Sequence, residues 1–161
     1  MAVKTFRRGN HYEDFQVGQK FRHHWGRTLT ESDNVLFTHL TMHFNPIYLN
    51  KEYAGRFGYE NVVINPQFIF HLTLGMSVED LSEVGGPFLG VDNLSFINPV
   101  YPGDTLYAES EVMDMRESKS KPQFGIVTWK TTGINQNGNT VIEYKRRNLV
   151  SKRGQPALDP K

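Results

Sequence analysis

The chain has 161 residues and no cysteine, which excludes disulfide bonds, thiolate catalysis and cysteine-ligated zinc. Hydrophobic residues make up 38% and charged residues 22%, the balance expected of one soluble globular domain, and the net charge of +1 gives no reason to expect nucleic acid or a membrane surface as partner. No segment resembles a signal peptide or a membrane span, so we expect a cytoplasmic protein.

Short elements are expected in the first part of the chain. Alternation over residues 21–25 predicts a strand. Thr30 is a good N-cap, and Asp33 completes a capping box for a short helix. The helical pattern must break at Asn45-Pro46, because proline disfavours helical geometry in the residue before it. A second short helix is expected at about residues 51–57.

The most informative segment begins at Asn65-Pro66. Asparagine is a good N-cap, and proline is preferred at the first helical position. Residues 67–78 are apolar nearly all round, which predicts a helix buried on most sides. The segment Gly85-Gly86-Pro87 is expected to break the pattern before the strands begin.

The remainder predicts an antiparallel meander. Strands are expected at residues 88–97, 106–112, 124–132 and 141–150. The turn at 135–138 indicates a hairpin, and residues 116–122 form a polar connection. One buried helix followed by such strands predicts an α+β domain with a curved sheet wrapped around the helix, the hotdog arrangement. We expect one domain over residues 1–161, with its core at about 12–153, a loose arm at 1–13 and a polar tail at 154–161.

Several motifs, in order and spacing, resemble the MaoC-like enoyl-thioester hydratase family. They are Phe15-x-Val17-Gly18-x-x-Phe21, Gly26-Arg27-Thr28-Leu29-Thr30-Glu31-x-Asp33 and Phe96-x-x-Pro99-Val100-x-x-Gly103-Asp104. The segment Arg116-Glu117-Ser118-x-Ser120-Lys121-Pro122 further resembles a subgroup that acts on branched or dicarboxylic acyl-CoA esters. The resemblance implies the hotdog fold and a cleft for an acyl thioester.

The active-site signature of that family is substituted here. Family members carry Asp-x-Asn-Pro-x-His to activate water or move a proton, and later a glycine whose N–H donates to the thioester oxygen. In this chain His43 stands at the aspartate position, Tyr48 at the histidine position and Pro66 at the glycine position. Asn45 and Pro46 remain. Because proline has no N–H, the base, the acid partner and the oxyanion donor are all altered.

Replacement groups are nevertheless present at these positions. His43 could act as a base or merely cap a short helix, and Tyr48 could donate a proton or merely fill the vacated pocket. The side-chain amide of Asn65 or the N–H of Gln67 could replace the missing oxyanion donor. His71 is expected to be a core histidine bonded to a backbone carbonyl, and it is kept as a substrate-binding candidate.

Other groups give weaker signals. Asn45, Arg27 and Arg116 are candidates for substrate binding, although solvated surface charge is the commoner role of arginine. His39 and His43 are four residues apart, but the expected end of the helix near residue 41 spoils a shared face, so we expect no metal. No separate cofactor is expected beyond the CoA or carrier-protein thioester of the substrate.

Three functions remain open. One is a diverged lyase of the hydratase or dehydratase type with a His43–Tyr48 acid–base pair, repurposed within a biosynthetic pathway. Another is a non-catalytic acyl-binding or partner subunit of a hydratase. A thioesterase is the third, although no carboxylate is evident at the helix start. In each case we expect a homodimer or larger homo-oligomer, because a hotdog monomer leaves a sheet edge and one helix side uncovered.

Overall fold

Helices occupy the first half of the chain, and the long strands occupy the second. The computed structural model describes residues 9–154, so most of the predicted tail and most of the predicted arm lie outside the described residues. The strands are β1 Lys20–Arg22, β2 Arg27–Thr28, β3 Gly85–Phe96, β4 Thr105–Glu117, β5 Phe124–Asn135 and β6 Thr140–Ser151. The α-helices are α1 Glu31–Leu40, α2 Lys51–Gly55, α3 Pro66–Met76 and α4 Val78–Leu81. Short 3-10 helices lie at Tyr12–Asp14 and Pro46–Tyr48.

All strands belong to one antiparallel sheet. Its order is β1-β4-β5-β6-β3, and β2 also pairs with β4. Register shifts interrupt β4 between Val112 and Asp114 and recur along β3, and such irregularities increase the bend and twist of a sheet. The last strand of this order, β3, pairs only with β6 among the described residues, so one long sheet edge is open.

Helix α3 lies against this sheet and contacts β4 and β5. Gly133 of β5 permits the close approach, because a Cβ there would lie 2.8 Å from Thr73 Cγ2 and 2.5 Å from Ile142 Cγ2. The hydrophobic core around α3 is made of aliphatic residues and one tyrosine: Leu29, Ile64, Ile69, Val100, Leu106, Val141, Ile142 and Tyr144. The sheet therefore covers one side of α3 and supports the residues at its start.

A buried polar network ties α4 to the sheet. His23 Nδ1 lies 2.6 Å from a carboxylate oxygen of Asp80, and its Nε2 lies 2.9 Å from Ser110 Oγ. Ser110 Oγ in turn lies 2.9 Å from Thr131 Oγ1. Burial lowers the pKa of His23 below its ordinary value, although the hydrogen bond to Asp80 acts in the opposite direction. The ring is therefore neutral at pH 7 and donates Nδ1–H to Asp80.

Several predicted elements are confirmed in detail. Thr30 and Asp33 form the predicted capping box of α1, with Asp33 N–H donating to Thr30 Oγ1 at 3.1 Å. Asn65 caps α3, and Pro66 is its first residue. The turn ending at Gly138 joins β5 to β6 as the predicted hairpin, and Gly138 takes the positive φ of 79° that this turn requires. The α+β hotdog arrangement is confirmed.

Other predicted boundaries are wrong. The strand expected at 21–25 ends at Arg22, because the chain then turns His23 into the core. The expected break at 85–87 lies within β3, which accommodates the glycines through register shifts. Arg116 belongs to β4 rather than to the polar connection. Each error arises because contacts with segments distant in sequence override the local sequence signal.

Helix α3 is covered along most of its surface, with one exposed side. Only Ile69 and Thr73 are buried within α3, while its remaining apolar side chains are partly covered. Gln67, His71 and Gly75, spaced four residues apart, are exposed along one side of the helix. The apolar composition of α3 indicates that this side needs a cover, and the described residues do not supply one.

Candidate functional site

The start of α3 is built around the side chain of Asn65, which is completely buried. Its Oδ1 accepts the backbone N–H of Gln67 at 3.0 Å, which fixes the orientation of the amide. Its Nδ2 therefore points the other way, 3.3 Å from Thr38 Oγ1 and 3.2 Å from His43 Nδ1. One side chain thus caps the helix and anchors the candidate histidine.

This anchoring determines the tautomer of His43. An amide Nδ2 can only donate, so Nδ1 of His43 must accept and its proton resides on Nε2. A neutral histidine in this tautomer is a hydrogen-bond donor at Nε2, and it offers no free lone pair there to act as a base. The geometry therefore favours His43 as a donor and disfavours the predicted role as a general base.

Tyr48 lies beside His43, as predicted, but the two rings meet edge to face. Their centroids are 5.2 Å apart, with an interplanar angle of 71°. Tyr48 is only 9% exposed, and burial together with the neighbouring Tyr59 raises the pKa of its phenol above the ordinary value of 10.0. Tyr48 is therefore a neutral phenol at physiological pH, able to donate a hydrogen bond.

A cavity of about 330 Å³ opens beside the start of α3, and we call it the helix-start cavity. Its polar lining residues are Asn45, Tyr48, Tyr59 and Asn98. Its other lining residues are Ile47, Val63, Ile64, Pro66, Ile69, Phe96, Ile97, Pro99 and Val100. The volume lies at the lower end of the range for small-molecule sites, about 300–1,000 Å³. The cavity thus brings together three positions of the substituted signature: Asn45, Tyr48 and Pro66.

The first turn of α3 offers no spare N–H to a thioester oxygen. Pro66 has none, and that of Gln67 is taken by Asn65 Oδ1. The N–H groups of Phe68 and Ile69 donate to the backbone carbonyl of Asn65 at 2.9 and 3.2 Å. The prediction that Gln67 N–H is free is therefore wrong, because the Asn65 cap occupies it.

A second cavity, the helix-flank cavity, lies along the exposed side of α3 and has a volume of about 590 Å³. His71 and Arg27 line it, together with Trp25, Gly26, Phe37, Phe68, Leu72, Gly75, Met76 and Glu79. His71 donates Nδ1–H to the carbonyl of Gln67 at 2.7 Å, as predicted, but it is exposed rather than buried in the core. Arg27 pairs with Asp33 at 2.8 Å. This cavity is thus an open apolar groove with polar groups at its margin.

The predicted site residues therefore lie in different parts of the structure. His43, Asn45, Tyr48 and Asn65 lie together at the start of α3. Arg27 and His71 line the helix-flank cavity instead. Arg116 is exposed on β4 and lines neither cavity. Among residues 9–154, no cluster of His, Cys, Asp and Glu could hold a metal ion, and no helix is long and apolar enough to cross a membrane.

Sequence reasoning missed two polar residues of the helix-start cavity, Tyr59 and Asn98. Tyr59 follows α2, and Asn98 follows β3, where its Nδ2 donates to the carbonyl of Thr140 at 2.7 Å. The motif that runs from Phe96 to Asp104 pointed to this segment, but nothing in the motif indicates that its first residues face Tyr48.

Comparison with known proteins identifies the family. The model of a family described as mesaconyl-CoA hydratase matches residues 2–160. A mesaconyl-CoA hydratase from Haloarcula marismortui is 35% identical over 156 residues, which are 96% of this chain and 44% of that protein. The chain belongs to the mesaconyl-CoA hydratase family. The resemblance to MaoC-like hydratases is therefore confirmed.

Solved structures show the same fold. A MaoC domain dehydratase from Chloroflexus aurantiacus superposes with a TM-score of 0.88 and 35% identity, covering 99% of this chain and 45% of that one. A Mycobacterium tuberculosis protein described as having a double hotdog fold superposes with a TM-score of 0.78 and 22% identity, over 95% of this chain and 47% of its own. The chain thus spans about half the length of these relatives and corresponds to one hotdog unit.

Proposed function

We propose that this chain is one hotdog unit of a hydratase or dehydratase of acyl-CoA thioesters, and that it binds the acyl group while another unit supplies the proton transfer. Membership of the mesaconyl-CoA hydratase family supports the reaction class. The helix-start cavity lies where the family signature is substituted, which supports a retained binding site. This is the predicted alternative of a non-catalytic partner subunit.

One observation carries the proposal: the described lining of the helix-start cavity contains no histidine and no carboxylate. Its ionisable side chains are those of Tyr48 and Tyr59. Addition or removal of water requires a base and an acid matched to the operating pH, and a phenol whose pKa is raised is a poor base. The hydrogen bond from Asn65 leaves His43 as a donor at Nε2.

The surfaces that a second unit would cover are the exposed side of α3 and the open edge of β3. Phe88, Leu89 and Phe96 expose between 41% and 48% of their surface along β3. Gly75 is exposed within α3, and a Cβ added there would meet no neighbouring group within 4 Å, so another element could approach closely. Relatives about twice as long contain enough chain for such a unit. The homodimer expected from the sequence would cover the same surfaces.

A catalytic role for His43 and Tyr48 remains the second candidate, and it is supported by the contact between their rings, whose centroids are 5.2 Å apart. In that mechanism His43 takes the proton that the adding water loses, and the Tyr48 phenol donates a hydrogen bond to the developing enolate. A free lone pair at His43 Nε2 requires the tautomer that the hydrogen bond from Asn65 disfavours. The two candidate roles can be distinguished by experiment. A site that offers only hydrogen-bond donors and no base binds the thioester but accelerates its hydration little.

The test combines a binding measurement with an assay. Calorimetry should show that crotonyl-CoA binds more tightly than free CoA, whereas hydration followed by loss of the enoyl absorbance should stay near background. Equal affinity for the two ligands would rule out acyl binding. A turnover above roughly ten per second would rule out a non-catalytic unit.

Tyr48→Phe is the matched variant, since it removes the hydroxyl and retains the ring. If the chain proves active and Tyr48→Phe abolishes that activity while crotonyl-CoA affinity is retained, the His43–Tyr48 mechanism replaces our proposal. If neither protein shows turnover and both bind crotonyl-CoA, the acyl-binding role stands.

A further inference from the structure

The helix-start cavity has an aliphatic floor and a neutral polar margin. Ile64 and Val100 are completely buried, and Ile69 is 3% exposed, so these side chains form the deepest part of the lining. Asn45 and Asn98 are exposed at the opening. An acyl chain that enters from the opening would place its far end against the aliphatic floor.

No lysine, arginine or histidine is among the described residues that line this cavity. The guanidinium of Arg56, the residue that follows α2, pairs with Glu52 at 2.8 Å at the surface. The guanidinium of Arg27, which lines the helix-flank cavity, pairs with Asp33. The polar groups of the described lining are neutral amides and phenols. A carboxylate moved from water into a largely apolar site without a cation is disfavoured, because neutral donors compensate only part of its lost hydration.

We infer that the helix-start cavity accepts a short, uncharged acyl group and rejects an acyl group that ends in a free carboxylate. The inference rests on the proposed function and gives it a substrate class. The acyl group inferred for this chain differs from those in the names of its relatives, because mesaconyl and methylmalyl groups are dicarboxylic. The volume of about 330 Å³ suits a short acyl group better than a long one.

Butyryl-CoA and succinyl-CoA test the inference, because their acyl groups have the same chain length and differ at the end in charge. Calorimetry on the full chain should give an affinity for butyryl-CoA about tenfold or more above that for succinyl-CoA, with free CoA as reference. Equal or tighter binding of succinyl-CoA would overturn the inference and leave the proposed function intact. If neither thioester binds better than free CoA, the proposed function fails and this inference fails with it.

A charge placed at the opening provides the complementary experiment. Ile97 lines the cavity, is 49% exposed and donates its backbone N–H to Val141, a bond that a substitution keeps. Ile97→Lys should bring the butyryl-to-succinyl affinity ratio close to one, since the lysine stem can lie on the wall while its ammonium meets the carboxylate. Ile97→Met, of similar length and uncharged, should keep the wild-type ratio. A ratio that Ile97→Lys leaves unchanged would show that charge does not set the selectivity, and would overturn the inference.

Discussion

Replacement of Asn65 by alanine tests the central structural claim, that one buried amide organises the start of α3 and the candidate site. The side chain makes three hydrogen bonds: Oδ1 with the Gln67 N–H, and Nδ2 with Thr38 and His43. Asn65→Ala removes all of them together and leaves the Thr38 hydroxyl inside the core without this donor.

The expected cost follows from these contacts. Loss of an N-cap destabilises a protein by about 1 kcal/mol. A buried polar group that loses its partner costs about 1–3 kcal/mol more. The free energy of unfolding of Asn65→Ala should therefore fall by about 2–4 kcal/mol, equivalent to a decrease in Tm of about 5–15 °C for a chain of this size.

Chemical denaturation measures this loss of unfolding free energy, and the m-value of the variant should equal that of the wild type. The control is Asn50→Ala, because Asn50 caps α2 through Tyr53 N–H at 3.0 Å and is exposed. That variant should lose only the capping contribution, about 1 kcal/mol. If Asn65→Ala costs no more than Asn50→Ala, the bonds to Thr38 and His43 do not stabilise the fold, and the argument for the His43 tautomer loses its basis.

Two further predictions concern histidines. His43 should carry its proton on Nε2, which ¹H–¹⁵N correlation spectra can report. Asn65→Asp should move this proton to Nδ1, because the amide donor is replaced by a carboxylate acceptor. A wild-type protein with the proton on Nδ1 would contradict the assigned orientation of the Asn65 amide. The free energy of unfolding should also fall as the pH drops from about 7 to 5. In the unfolded chain His23 takes up a proton near pH 6.5, whereas in the folded protein its lowered pKa keeps it neutral to a lower pH. Thermal melts of His23→Gln, which cannot titrate there, should show a smaller fall, and equal falls in both proteins would exclude His23 as the cause.

The sequence alone determined those element boundaries that depend on local contacts. The capping box of Thr30 and Asp33, the Asn65-Pro66 helix start and the turn at Gly138 depend on contacts within a few residues. Such contacts are set by local chemistry and hardly depend on the rest of the fold. The order of these signals, together with the motifs of the resemblance, was enough to predict a hotdog domain.

Tertiary structure decided which side of each element is covered. An apolar helix predicts burial, but only the assembled sheet shows that α3 is covered on one side and that His71 is exposed on the other. In the same way, β1 ends at Arg22 because His23 finds partners on α4 and β4, distant in sequence. Periodicity carries no information about such long-range partners.

The chemical character of the site also came from tertiary structure. The sequence indicated that the acid–base signature was substituted, but His43 could be a base or a donor until the direction of the Asn65 amide was fixed. The uncharged lining of the helix-start cavity depends on residues from separate segments, including Tyr59 and Asn98. A sequence shows which groups a chain carries, whereas the direction of a hydrogen bond and the absence of a cation from a described cavity depend on how those segments meet in space.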